Sequence, residues 1–192
     1  MISDKLKGAT FIKIKSNTGN AQEDKKPVGK EWQLMNYAEA CEYKGNIALL
    51  CGSDGIRVVD IEAESKNPYF KEMCAELDKL QTFKVKTQSG GAHYYIYNEE
   101  EYSQAYENID ANKKHCGEIR NKDCYVLTPP SEVNGNKYEV IEDKNIMAVS
   151  GCTIDFEWIE KDVLLIEFEF DDRYGSQYIC DESCGFDDDD CF

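Results

Sequence analysis

Eight short runs rich in β-branched and aromatic residues, each bounded by turn-forming residues, constrain this chain more than any other feature. They cover residues 11–15, 46–52, 56–62, 83–87, 93–97, 125–128, 137–141 and 163–170, and runs of this kind read as strands. One segment has unmistakable helical spacing. Phe70, Met73, Cys74, Leu77 and Leu80 recur at three- and four-residue steps, and Asn67 and Pro68 suit its cap and first turn. A second helix is expected over 31–43, and a short third after Asn98, where three glutamates suit the positive end of a helix dipole. Strands and helices mix without regular alternation, and no internal repeat is visible. The expected class is therefore α+β with a largely antiparallel or mixed sheet, not a repeating βαβ fold.

A chain of 192 residues, 41% of them hydrophobic, can bury one good core. The expected division is a domain over 1–154, followed by a final strand and an acidic, cysteine-bearing tail over 155–192. The opening residues hold no apolar run long enough for a secretory signal. No later stretch reaches the roughly 20 apolar residues of a membrane span, so a cytoplasmic protein with no membrane partner is expected. Nine cysteines, an odd number without regular spacing, fit reduced thiols in a reducing compartment.

A net charge of -16 argues against a protein that grips duplex DNA through a basic surface. The charge is unevenly spread, however. Residues 155–192 hold 14 acids against Lys161 and Arg173, whereas residues 1–154 hold 24 acids against 20 bases. The core is nearly neutral and the tail is acidic.

Three segments carry residues suited to chemistry. In Ile56-Arg-Val-Val-Asp-Ile-Glu62 a strand runs into carboxylates at i and i+2, which share a face. Asp60 and Glu62 would converge from a stiff element, as a hard, oxygen-seeking Mg²⁺ or Mn²⁺ requires; the other reading is a solvated polar face at a strand end. In Thr87-Gln-Ser-Gly-Gly-Ala-His-Tyr-Tyr-Ile-Tyr97 a glycine turn delivers His93 to the start of a strand. That imidazole either donates to a phosphate oxygen or is satisfied within the fold. In the run from Cys116 to Ser131, Glu118 and Arg120 again stand two apart, set either for metal and phosphate or for a surface ion pair.

Taken together, in this order and spacing, the segments resemble the primase-polymerases of the archaeo-eukaryotic primase superfamily. That family shows a strand ending in DxE or DxD, a GGxH segment before a strand, and an acid in a DIRG-like run leading to YVVAPPS. Here the counterparts are VVDIE at 58–62, GGAH at 90–93 and GEIRNKDCYVLTPPS at 117–131. Lys26-Pro27 and Trp32 match a KP-x4-W element, and residues 46–52 match the strand and turn before the metal strand, so the likeness spans about 10–141. Glu118 stands where the family has Asp, and Asn121 where it has glycine.

The resemblance implies an RRM-like mixed sheet with a metal site, packed on a smaller N-terminal αβ module. It implies a template-dependent nucleotidyltransferase, a DNA primase or DNA polymerase, adding nucleotides to a 3′-hydroxyl in the replication or repair of a mobile element, virus or prokaryote. Two ions, Mg²⁺ or Mn²⁺, would be held by Asp60, Glu62 and Glu118. His93 with its turn, Gly91 and Ser89 included, would hold the triphosphate with Arg120, and Lys86 and Lys30 stand behind them. The implied partners are nucleoside triphosphates and single-stranded or primed DNA. Such a cluster of acids also predicts like-charge repulsion in the metal-free protein.

Other readings remain. Cys152, Cys180, Cys184 and Cys191 suggest zinc, although their spacing is irregular for it. The terminal run Cys184-Gly-Phe-Asp-Asp-Asp-Asp-Cys-Phe192 is either a solubilising end or a segment that docks a protein partner, since its acids and terminal aromatic resemble the tips of single-strand-binding proteins. The alternatives to an enzyme are an inactive nucleic-acid-binding module of the same fold and an acidic DNA mimic.

Overall fold

The strand runs pair into two main sheets that share a core. In the computed structural model the described residues are 1–98, 104–107, 115–155 and 165–170, with backbone only at 104–107, 150–155 and 165–170. In chain order the elements are β1 (Phe11–Ile14), β2 (Leu34–Met35), α1 (Tyr37–Glu42), β3 (Asn46–Leu50), β4 (Ile56–Ile61) and α2 (Phe70–Leu77). They continue with β5 (Lys84–Lys86), β6 (Ala92–Tyr97), β7 (Gln104–Glu107), β8 (His115–Arg120) and β9 (Tyr125–Leu127). The last are β10 (Glu132–Val133), β11 (Asn136–Lys137), β12 (Glu139–Glu142), β13 (Met147–Asp155) and β14 (Leu165–Phe170).

The smaller sheet has the order β2-β1-β3-β9 and is antiparallel throughout. The larger follows β12-β5-β6-β4-β8-β7, also antiparallel, with β13 added parallel to β6 and β14 antiparallel to β13. The architecture is thus α+β with antiparallel sheets and few helices. The smaller sheet is not built from the N-terminal part alone, because β9 returns from beyond the larger sheet's β8 to pair with β3.

Period-2 alternation divides the larger sheet's two faces. Val59 and Ile61 of β4, with Ala92, Tyr94 and Ile96 of β6, pack under the Met73, Cys74, Leu77 and Leu80 stripe of α2 and the turn after it. Ile56 and Val58, with Val85 and Tyr95, face the smaller sheet and join Phe11, Ile47, Leu49 and Val126 in the main core. Burying each such large side chain contributes about 1.5–3 kcal/mol. The Tyr95 hydroxyl reaches across to Thr128 Oγ1 at 3.1 Å, tying the two sheets beside that core.

Two helices differ from expectation. Over 31–43 only Tyr37–Glu42 is helical, because Asn36 caps it: the Asn36 side chain accepts from Glu39 N–H, and Glu39 reaches back to the Asn36 N–H. This reciprocal cap sets the start of the helix and leaves Leu34–Met35 to pair with β1. Around α2, Asn67 lies buried outside the helix, its carboxamide oxygen accepting from Tyr69 N–H at 3.0 Å and its amide donating to Cys116 O at 3.2 Å. The expected helix after Asn98 lies outside the described residues.

Candidate active site

The face of β4 that meets the smaller sheet begins apolar, with Ile56 and Val58, and turns acidic at Asp60. In register, Asp60 stands opposite His93 of β6 on one side and Glu118 of β8 on the other. Directly opposed residues point to the same side of a sheet, so the three side chains sit in a row across neighbouring strands. Arg120 shares that face two residues on from Glu118, opposite Val58. Glu62 follows the end of β4, its N–H held by Cys116 O at 2.9 Å. Gly117 makes this close pairing feasible, since a β-carbon there would collide with the Asp60 carbonyl oxygen.

The carboxylates of the row are each paired with a basic side chain. His93 Nε2 lies 3.4 Å from Asp60 Oδ1, and Arg120 Nε lies 3.9 Å from Asp60 Oδ2. Arg120 Nη2 pairs with Glu118 Oε1, His115 Nε2 approaches the same oxygen at 3.6 Å, and Lys66 holds Glu62 at 3.1 Å. Burial works to raise the Asp60 pKa, but His93, Arg120 and His115 outweigh it and hold the carboxyl below its ordinary value of 3.8. His115 moves the other way: its bond to Glu118 raises its pKa against the effect of burial, and Glu62 and Asp60 add to the rise. The expected repulsion among bare acids is thus already offset within the chain.

The row floors a cavity of about 610 Å³ between the two sheets. Its opposite wall is β9 with the preceding Cys124 and Asp123, and Tyr138 closes one side next to the His93 ring, 5.9 Å between centroids. Trp32 stands at the rim, 39% exposed, edge-on to Tyr125 with centroids 5.6 Å apart. The Tyr125 hydroxyl donates to Lys25 O at 3.2 Å, and Lys25 joins the lining. Asp60, Glu62, Glu118, His93 and Arg120 all line this space.

The glycine turn lies just outside it. Thr87 N–H donates to Gly91 O at 2.9 Å, Gly91 N–H donates to Thr87 Oγ1 at 2.9 Å, and Ser89 Oγ is 3.1 Å from Thr87 Oγ1. Gly91 is required by packing, because a β-carbon there would collide with the Ile61 carbonyl oxygen and come within 3.1 Å of Ala63 N. Ser89, Lys30 and Lys86 are exposed, and neither they nor Gly91 line the cavity. The sequence reading did not single out His115, Lys25, Tyr125 or Tyr138. Each nevertheless had a signal nearby: Lys25 adjoins the Lys26-Pro27 element, His115 precedes the run from Cys116 to Ser131, Tyr125 lies within that run, and Tyr138 lies in the strand run 137–141.

As the side chains stand, no group of three or more His, Cys, Asp and Glu among the described residues is arranged to hold a metal ion. The donor chemistry nevertheless fits a hard divalent cation: three carboxylates reach one cavity, and Asp60 and Glu118 are turned toward cations that an ion would replace. His93 Nδ1 and Arg120 Nε are buried without a hydrogen-bond partner, polar atoms that a bound group would satisfy. Of the four cysteines considered for zinc, Cys152 falls in β13, where only the backbone is described, and Cys180, Cys184 and Cys191 lie outside the described residues.

A family model described as bifunctional DNA primase/polymerase, N-terminal, matches residues 9–152. The chain belongs to this family. No curated protein matches it. Membership gives the primase-polymerase domain a nucleotidyl-transfer activity of the DNA primase/polymerase type, with nucleotides and DNA as its substrates. The match covers β1 to β12 and every residue of the acidic row. No helix among the described residues is long and apolar enough to cross a membrane.

Proposed function

We propose that the domain is a template-dependent nucleotidyltransferase that extends a 3′-hydroxyl in the cavity between the sheets, and that its fold is the archaeo-eukaryotic primase catalytic fold. Residues 1–154 make up the catalytic unit, and 155–192 supply a final strand and an acidic tail. The observation that carries this reading is the direct opposition of Asp60 and Glu118 on adjacent strands, at the floor of a cavity wide enough for a nucleotide.

Asp60, Glu62 and Glu118 would hold two divalent ions, Mg²⁺ or Mn²⁺. The chemistry such ions supply when bound is a lowered pKa for the attacking hydroxyl and neutralisation of charge on the triphosphate. The chain's own groups do the positioning that phosphoryl transfer demands. Buried His93, on the floor of the cavity, donates to a phosphate oxygen. Arg120, released from Glu118, pairs with a second oxygen in the bidentate manner that guanidinium favours. Ser89 and Gly91 act through the turn that carries His93. Across the cavity, Tyr125 and Trp32 offer aromatic surface for a base.

The decisive test is primer extension on a primed single-stranded template with labelled nucleotides and Mg²⁺ or Mn²⁺. Elongation is expected. Failure with both ions, on both deoxy- and ribonucleotides, would leave a binding module of the same fold.

A further inference from the structure

The ladder between β3 and β9 pairs Leu49 with Val126 and Leu50 with Tyr125. One step further it brings Cys51 opposite Cys124, whose carbonyl accepts the Cys51 N–H at 3.0 Å. Opposed residues in an antiparallel pair carry their side chains on the same side, with α-carbons about 4.5–5.5 Å apart. That spacing lies within the range a disulfide spans without backbone movement. Both thiols are free, and both pack in the same core cluster. They differ in access: Cys51 is 1% exposed, whereas Cys124 is half-buried and lines the cavity.

We propose that Cys51 and Cys124 form a redox modification site, a cross-strand thiol pair that hydrogen peroxide converts to a disulfide in the cavity wall. The more accessible member, Cys124, reacts first. The Cys124 thiolate attacks one peroxide oxygen, the O–O bond breaks, and hydroxide leaves, giving a sulfenic acid. The Cys51 sulfur then attacks the Cys124 sulfur, the S–O bond breaks, and the Cys51 proton leaves with the hydroxyl as water. Two thiols are oxidised and one peroxide is reduced to two waters in all. Burial pushes the Cys51 thiol pKa up, which keeps it from meeting oxidant directly and suits it to the resolving role, where proximity replaces intrinsic reactivity. Other described cysteines cannot substitute. Cys74 and Cys116 lie in the core on the far face of the larger sheet, and Cys41 is exposed on α1.

The test treats the full chain with hydrogen peroxide, alkylates it without reduction, and maps the peptides by mass. A linked Cys51 and Cys124 pair, two hydrogens lighter than the separate peptides and released by dithiothreitol, is expected. Cys51→Ala should leave Cys124 as a sulfenic acid trapped by dimedone, and Cys124→Ser should leave Cys51 unmodified while the protein stays folded. Recovery of Cys124 as sulfinic acid beside an alkylated Cys51, or its linkage to a different cysteine, would overturn the proposal. The result does not depend on whether the cavity binds a nucleotide.

Discussion

Asp60 and His93 face each other across β4 and β6, with 3.4 Å between Oδ1 and Nε2, and the histidine is almost wholly buried. An acid held in this way would serve the fold as well as the proposed chemistry. Asp60→Asn should lower extension by roughly a hundred- to a thousandfold. It should also cost the metal-free protein about 1–3 kcal/mol, since His93 and Arg120 lose their anionic partner. Because the folded pKa lies below 3.8, Asp60 contributes stability above that value and loses it as pH falls through the lower, folded one. Thermal melts across acid pH should show this loss in the parent and not in the variant. Equal melts would mean that the pair is not formed in solution.

His93→Ala is expected to raise the apparent nucleotide KM about tenfold while leaving Mn²⁺ binding within twofold, because imidazole in the neighbourhood of a triphosphate is a donor and not a preferred ligand for a hard ion. Steady-state kinetics and Mn²⁺ titration separate the two effects. Weakened ion binding at unchanged KM would reassign the residue as a metal ligand.

Arg120 occupies two of the acids proposed to hold the ions. Arg120→Ala should therefore tighten Mn²⁺ binding in the absence of nucleotide by about three- to tenfold, the effect expected for losing a partly exposed charge pair. It should weaken nucleotide binding at the same time. Electron paramagnetic resonance of free Mn²⁺ reads the first effect without any turnover. An unchanged or weaker affinity would show that the guanidinium does not compete.

Gly91→Ala tests packing at the turn. The added methyl meets the Ile61 carbonyl, a backbone atom that cannot swing aside, so a loss of about 1–3 kcal/mol is expected in denaturant unfolding. A variant as stable as the parent would mean that the turn has room to shift.

Deleting residues 181–192 should tighten single-strand binding at low salt, with the gain shrinking as salt rises. A segment of strong negative charge tethered to a nearly neutral domain competes with template for the same cations, and salt screens both. Identical affinities throughout a salt titration would leave partner docking as the tail's role, which a pull-down with the terminal peptide would test.

Much of this was legible in the sequence because strand alternation is a local signal. The i, i+2 spacing put Asp60 and Glu62 on one face, and the same spacing put Glu118 beside Arg120. Which strand lies next to which is not local, so the opposition of Asp60 to both His93 and Glu118 came only with the fold. The helix expected over 31–43 starts only at Tyr37, because Asn36 and Glu39 cap it; an Asn followed three residues later by Glu is a start signal in its own right. His115 and Tyr138 were invisible for a different reason. Their roles depend on what lies beside them in space, which neither the strand run 137–141 nor the segment opening at Cys116 discloses.

The bond from Tyr95 to Thr128 couples the two sheets that enclose the void. Its width is consequently set by the interior behind the lining, where Phe83 and Tyr95 stack edge to face with centroids 5.0 Å apart. A change of one methylene at such a position would alter the shape of the void without touching any atom that lines it, so selection on what the void admits would reach residues that look purely architectural.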